Sequence, residues 1–270
     1  MDDGFYESLE HDYRLTGFQA ATKDTEDHFV RATISDDMFV PMADHHSADG
    51  LDSYLLFYDR AAIWDAPGQA EFVALHITRT PEQSTFDFAT QRAPVVPLAQ
   101  YWLIQRGCPP EATLPTRNHG PRPADALTSR LEDLLRTNPE NRYEVLDHCT
   151  DNPGTFDFGT EVRTLIYDHH PDSATAPYRL FLEEADKNFQ MYTMREGAFA
   201  TAEAADTWAM PRSAPLPQPP EPPSRTTPRA HAARARSAGP GPKHLAVPPA
   251  PVAAPRTPPS TSPHPHGGMR

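Results

Sequence analysis

Only two cysteines occur in 270 residues, Cys108 and Cys149, and neither belongs to a Cys-x-x-Cys pair. That excludes a disulfide-stapled secreted scaffold and paired-cysteine zinc modules. Long apolar runs are also missing. No stretch approaches the roughly 20 residues that a membrane span needs. The acidic opening, Met1 to Glu10, lacks the apolar core of a secretory leader. The expectation is a cytoplasmic protein with no membrane association. Aromatic residues stop abruptly: all 3 Trp, 13 Phe and 9 Tyr precede Pro211. Acidic residues nearly stop there too, since Glu221 is the last of the 37 Asp and Glu.

The chain therefore has two compositions. Residues 211–270 carry 18 of the 32 prolines and 8 of the 24 Lys and Arg, for a net charge of +7. Without aromatics they cannot bury enough surface to offset the entropy of ordering, so a disordered, Pro-rich, basic tail is expected. Residues 1–210 hold 16 basic against 36 acidic residues, a net charge of −20. This body is long enough to bury a core. Its charge opposes direct binding to nucleic acid, which needs clustered Lys and Arg. It suits a basic protein partner, or simply solubility.

Helix and strand signals interleave along the body without a regular βαβ rhythm, which predicts an α+β fold. Leu51, Tyr54, Leu55, Tyr58, Ala62 and Ile63 recur at helical spacing before Pro67-Gly68. Asp125 caps an amphipathic helix bearing Leu127, Leu131, Leu134 and Leu135, stopped by Asn138-Pro139. A short helix follows Pro97, and another runs from Thr201 to Trp208. Strands are expected over 29–34, 38–40, 71–78, 143–149 and 162–167. A hairpin is expected from 178–182 and 189–194. Five prolines make 109–123 a connecting loop.

The chain also resembles itself. Thr85-Phe86-Asp87-Phe88 recurs as Thr155-Phe156-Asp157-Phe158. With one gap, upstream positions agree at a shift of 72, pairing His76 with His148. This suggests two tandem, degenerate helix–strand–loop–strand repeats of about 70 residues, over 51–106 and 123–170, packed about a pseudo-twofold axis. The hairpin and last helix, 178–210, would complete the body.

No P-loop, dinucleotide fingerprint, nucleophile elbow or HExxH is present. Two Asp-His-His triplets are, at 44–46 and 168–170, each following a short apolar segment. The second, within Leu165 to Pro171, resembles the metal-dependent phosphoesterases named for that motif. The resemblance implies a divalent metal that activates water. The candidate ligands are His148, Asp157, Asp168, His169 and His170. The earlier His-x-x-Pro-Asp-x-Asp element of that family has only a loose echo, at His148 to Pro153. Two functional readings result. One is a non-enzymatic accessory or regulatory binding protein with an acidic folded body. The other is a metal-dependent hydrolase built on the Asp and His clusters.

Overall fold

The computed structural model describes residues 11–62, 69–115, 121–151, 160–186, 190–210 and 214–220. Its order begins with β1 (Gln19–Ala20), α1 (Lys23–Thr33), β2 (Phe39–His46), β3 (Asp52–Asp59), β4 (Phe72–Thr80), β5 (Thr85–Ala93) and α2 (Val96–Ile104). It continues with β6 (Arg122–Pro123), α3 (Ala126–Thr137), β7 (Tyr143–Asp151), β8 (Glu161–Asp168), β9 (Tyr178–Ala185), β10 (Met191–Phe199) and α4 (Ala202–Ala209). The class is α+β, as the sequence implies. The proline-rich tail from residue 221 lies outside the described residues, as do Thr155 to Gly159.

Each half forms one five-stranded sheet, ordered β1-β5-β4-β3-β2 and β6-β10-β9-β8-β7. Four strands run as an antiparallel meander, and the short first strand joins the last in parallel. The two registers correspond in detail. Phe39 faces Asp59, and Tyr143 faces Asp168. A bulge falls between Pro41 and Ala43, and again between Val145 and Asp147. The Asp59 N–H donates to Glu71 and the Asp168 N–H to Pro177. Helix caps match too: Thr22 accepts from the Thr25 N–H at 3.0 Å, and Asp125 from the Thr128 N–H at 2.8 Å.

The halves are thus repeat-like, but at a larger shift than the Thr-Phe-Asp-Phe blocks suggest. Equivalent positions lie 103 residues apart at β1 and β6 (122 − 19) and 109 apart at Asp59 and Asp168 (168 − 59). At a shift of 72, strand β3 would fall on helix α3.

Two local readings are corrected. The helix expected over 51–64 is not formed where the chain is described, since β3 occupies Asp52–Asp59. Tyr54 to Phe57 is an unbroken buried run, and a strand covered on both faces mimics a helical spacing of apolar residues. Residues 29–34 are not a strand. Phe29 to Thr33 ends α1, whose start is fixed by the Thr22 cap.

The halves also do not pack about a twofold axis. On sheet one, Leu56, Phe72 and Ala74 face a shared interior that also takes Val95, Leu98 and Leu103 of the α2 region. On sheet two the same interior receives Leu131 and Leu135 of α3 with Val162, Ile166, Phe181 and Met194. Positions Leu56 and Ala74 correspond to Leu165 and Leu180, which face the opposite side of sheet two. Leu75 corresponds to Phe181. The interface is therefore head-to-tail: the α2 face of the first half meets the α3 face of the second. Such an interface leaves one unlike face at each end.

The end of sheet two is closed by α4 and by chain beyond it. Leu216 packs with Leu165, Leu180, Phe199 and Trp208. The Ala198 N–H donates to Pro217 at 3.0 Å and Trp208 Nε1 to Ala214 at 3.0 Å. Residues 214–220 therefore belong to the folded body. At the other end, α1 and Tyr13, Leu15 and Phe18 cover Leu55, Phe57, Val73, Leu75 and Ile77.

Candidate functional sites at the seam and the open end

Asp168 lies at one end of the β7–β8 pair and His148 near its middle. His148 faces Thr164, while Asp168 faces Tyr143. The four residue steps from Thr164 to Asp168 span about 13 Å at ~3.3 Å each. Asp168 is committed to its own half. Arg142 donates to it twice at 2.6 Å, Ser173 Oγ at 2.5 Å and the His170 N–H at 3.0 Å. Arg179 is 3.3 Å away. Burial alone would raise its pKa, but the Arg142 guanidinium and Ser173 hydroxyl hold the carboxyl below its usual range.

The two histidines that follow are half-exposed and diverge. His169 Nε2 meets Glu144 at 2.9 Å, and His170 Nδ1 accepts the Asp172 N–H at 3.2 Å. Asp157 lies outside the described residues. Among the described residues, no group of three His, Cys, Asp or Glu is placed to hold a metal ion. In the earlier triplet, His46 Nδ1 bonds Ser53 Oγ at 2.7 Å and His45 stacks against Tyr54. His76, which the sequence pairs with His148, sits on the non-equivalent strand β4, bonded to Asp52 at 2.8 Å and stacked on Tyr54.

The structure brings His148 into a different company. Across the seam, the Thr150 hydroxyl donates to Oε1 of Glu71, a residue just before β4 that is only 4% exposed. Glu71 Oε2, His148 Nε2 and Thr164 Oγ1 are all buried without a protein partner. Ladder register places His148, Thr164 and Phe181 in one cross-strand row, and Thr150, Val162 and Glu183 in the next row on the same face. Glu132 of α3 closes the group and accepts from the Tyr192 hydroxyl.

Like charge and burial act together here. Burial pushes Glu183 up to about 8, assisted by Glu132 and Glu71, and pushes Glu132 up to about 7. Glu71 is raised by burial, partly offset by the Thr150 hydrogen bond and by His148. A hydrophobic period cannot announce such a cluster, because Glu71, Glu132 and Glu183 come from three distant segments. The neighbouring Cys149 is exposed and 3.4 Å from Arg163 Nη2, away from this seam.

A second feature lies at the open end. Between α1 and β5 runs a groove of about 570 Å³, lined by Asp24, Thr25, His28, Arg31, Asp87 and Phe88 among others. Its equivalent in the second half is the surface of α3 and β10 beside which α2 packs. There the helix presents Leu127, Leu131, Leu134 and Leu135, where α1 has Asp24, His28, Arg31 and Ala32. Val30 is 55% exposed and Ile34 78% exposed on the same helix and its end.

No family model, curated protein or solved structure matches the chain. Functional inference therefore rests on these two features. Among the described residues no helix is long and apolar enough to cross a membrane.

Proposed function

We infer that the protein is a non-enzymatic accessory or regulatory binding protein. Its open end receives a basic, amphipathic helical segment of a partner protein. One observation carries this reading. The α1–β5 groove is the internal counterpart of a surface beside which a helix already packs in the second half. Among its lining residues Asp24 and Asp87 outnumber Arg31, on a body of net charge −20. Basic residues of the partner would meet those carboxylates, and its apolar stripe would meet Phe88 and Ala32. Grooves of this kind read helices through apolar anchors at i, i+3, i+4 and i+7, while charge complementarity sets on-rate and selectivity.

The test is titration of the full chain with a designed Lys/Leu amphipathic helical peptide, followed by fluorescence anisotropy. The controls are a scrambled peptide of equal charge and the Asp24→Lys, Asp87→Lys double variant. Preference for the amphipathic order, lost on charge reversal at the groove, supports the reading. Equal binding of both peptides, or no effect of the reversal, overturns it.

A further inference from the structure

We propose that the seam between the two halves is a proton-operated clasp, in which closing the halves draws protons onto the carboxyl group formed by Glu71, Glu132 and Glu183. The geometry is that of an acidic group along the seam, with Glu71 buried and Glu132 and Glu183 partly buried. Glu71 reaches from the first half to Thr150 of the second, leaving Oε2 buried and unpartnered. Glu183 projects from β9 into the same layer, with Glu132 and Glu71 as its charged neighbours. Glu132 has Arg136 and Asp133 beside it and accepts the Tyr192 hydroxyl. The charged or titratable groups facing Glu71 are His148, Arg92 and Tyr58. Thr164 Oγ1, with the residue 0% exposed, and His148 Nε2 lack partners in the adjoining row.

Ionised, Glu132 and Glu71 each repel an ionised Glu183. A proton on one of them turns repulsion into a donor for an orphaned acceptor. The raised pKa values of Glu183 and Glu132 accord with this geometry.

The sign follows from linkage. An opened or unfolded chain releases these protons with an ordinary glutamate pKa of about 4.3. The closed form keeps them until about 8 for Glu183 and about 7 for Glu132. Stability from the clasp is thus full below about pH 4.3 and declines as pH rises towards the folded values. It is levelled off above them. In that window the closed-to-open ratio falls about tenfold per pH unit for each proton released.

The experiment is urea denaturation of the full chain at several pH values between about 5 and about 8, for wild type, Glu183→Gln and the exposed control Glu203→Gln. Infrared spectroscopy of wild type at neutral pH accompanies it. The clasp predicts a protonated-carboxyl band in the folded chain that disappears on unfolding. It also predicts a pH slope in Glu183→Gln shallower by about tenfold per pH unit in the folded-to-unfolded ratio, with Glu203→Gln unchanged. An unaltered slope in Glu183→Gln overturns the proposal. Should that variant fail to fold, absence of the band in wild type overturns it.

Discussion

Asp59 and Asp168 occupy one position in the two halves, each the last residue of its strand, 2% exposed, and opposite an aromatic residue, Phe39 or Tyr143. Each accepts a backbone N–H from two residues on, Ala61 or His170. Their cations come from different places. Arg92 of β5 reaches Asp59 at 2.7 Å, while Asp168 is gripped by Arg142 before β7 and Arg179 of β9. The shared job is to anchor the turn that leaves β3 or β8.

Removing the carboxylate should cost more in the second half. Asp168→Ala removes the partner of Arg142 and one of the two carboxylates facing Arg179, whose side chain is 4% exposed and which keeps Glu196, and is expected to destabilise by roughly 3–5 kcal/mol, as breaking a buried pair does. Asp59→Ala should cost less, since the Arg92 side chain keeps 29% of its surface in solvent. Chemical denaturation of both variants checks the order. Loss of stability in Asp168→Ala, rather than loss of any metal-dependent activity, is the expected phenotype.

Gly197 is a packing requirement. A Cβ there would stand 2.4 Å from Leu216 Cδ1. Gly197→Ala should destabilise by about 1–3 kcal/mol, typical of an overpacked core. Leu216→Ala in the same chain should recover part of it. A double-mutant cycle in urea reads this coupling; strictly additive effects would contradict the contact.

The open end carries polar residues where the second half has leucines. His28→Leu with Arg31→Leu would recreate the Leu131 and Leu134 positions of α3. Because the interface is head-to-tail, apolar unlike ends do not close on themselves. Concentration-dependent assembly in sedimentation velocity is expected for the double variant and not for wild type.

Acid should loosen the second half through groups held low. Asp125 is pushed down to about 2 by the Thr128 N–H, then by Arg195 and the Thr128 hydroxyl. A depressed carboxyl contributes stability above its unfolded pKa of about 3.9, and that stability is lost as pH falls towards the folded value. Asp125→Ala should therefore flatten the acid limb of a stability-against-pH curve between about 4 and about 2. An unchanged limb would show that cap and ion pair contribute nothing there.

Local signals written in short stretches were legible in the sequence. Asp125 and Asn138-Pro139 bracket α3, the paired apolar runs near 178–194 are β9 and β10, and Thr201 caps α4, accepting from the Ala204 N–H at 3.1 Å. Strand β3 was ambiguous because Tyr54 to Phe57 is covered on both faces and shows no alternation. A signal for the duplication was present at the right spacing, in Leu56-Phe57-Tyr58-Asp59 and Leu165-Ile166-Tyr167-Asp168. The second of these blocks also supplies the aspartate of the Asp168-His169-His170 triplet.

By itself the sequence determined the α+β class, most helix limits and the charge asymmetry, because caps, periodicity and composition act over a few residues at a time. Tertiary structure alone decided which face of each half is buried. Leu75 and Phe181 are equivalent positions, yet one covers the outer face of its sheet and the other lines the shared interior. A strand's alternation names two faces without saying which will meet a partner. The head-to-tail packing makes that choice, gathers Glu71, Glu132, Glu183 and His148 at one seam, and leaves the α1 groove at the open end.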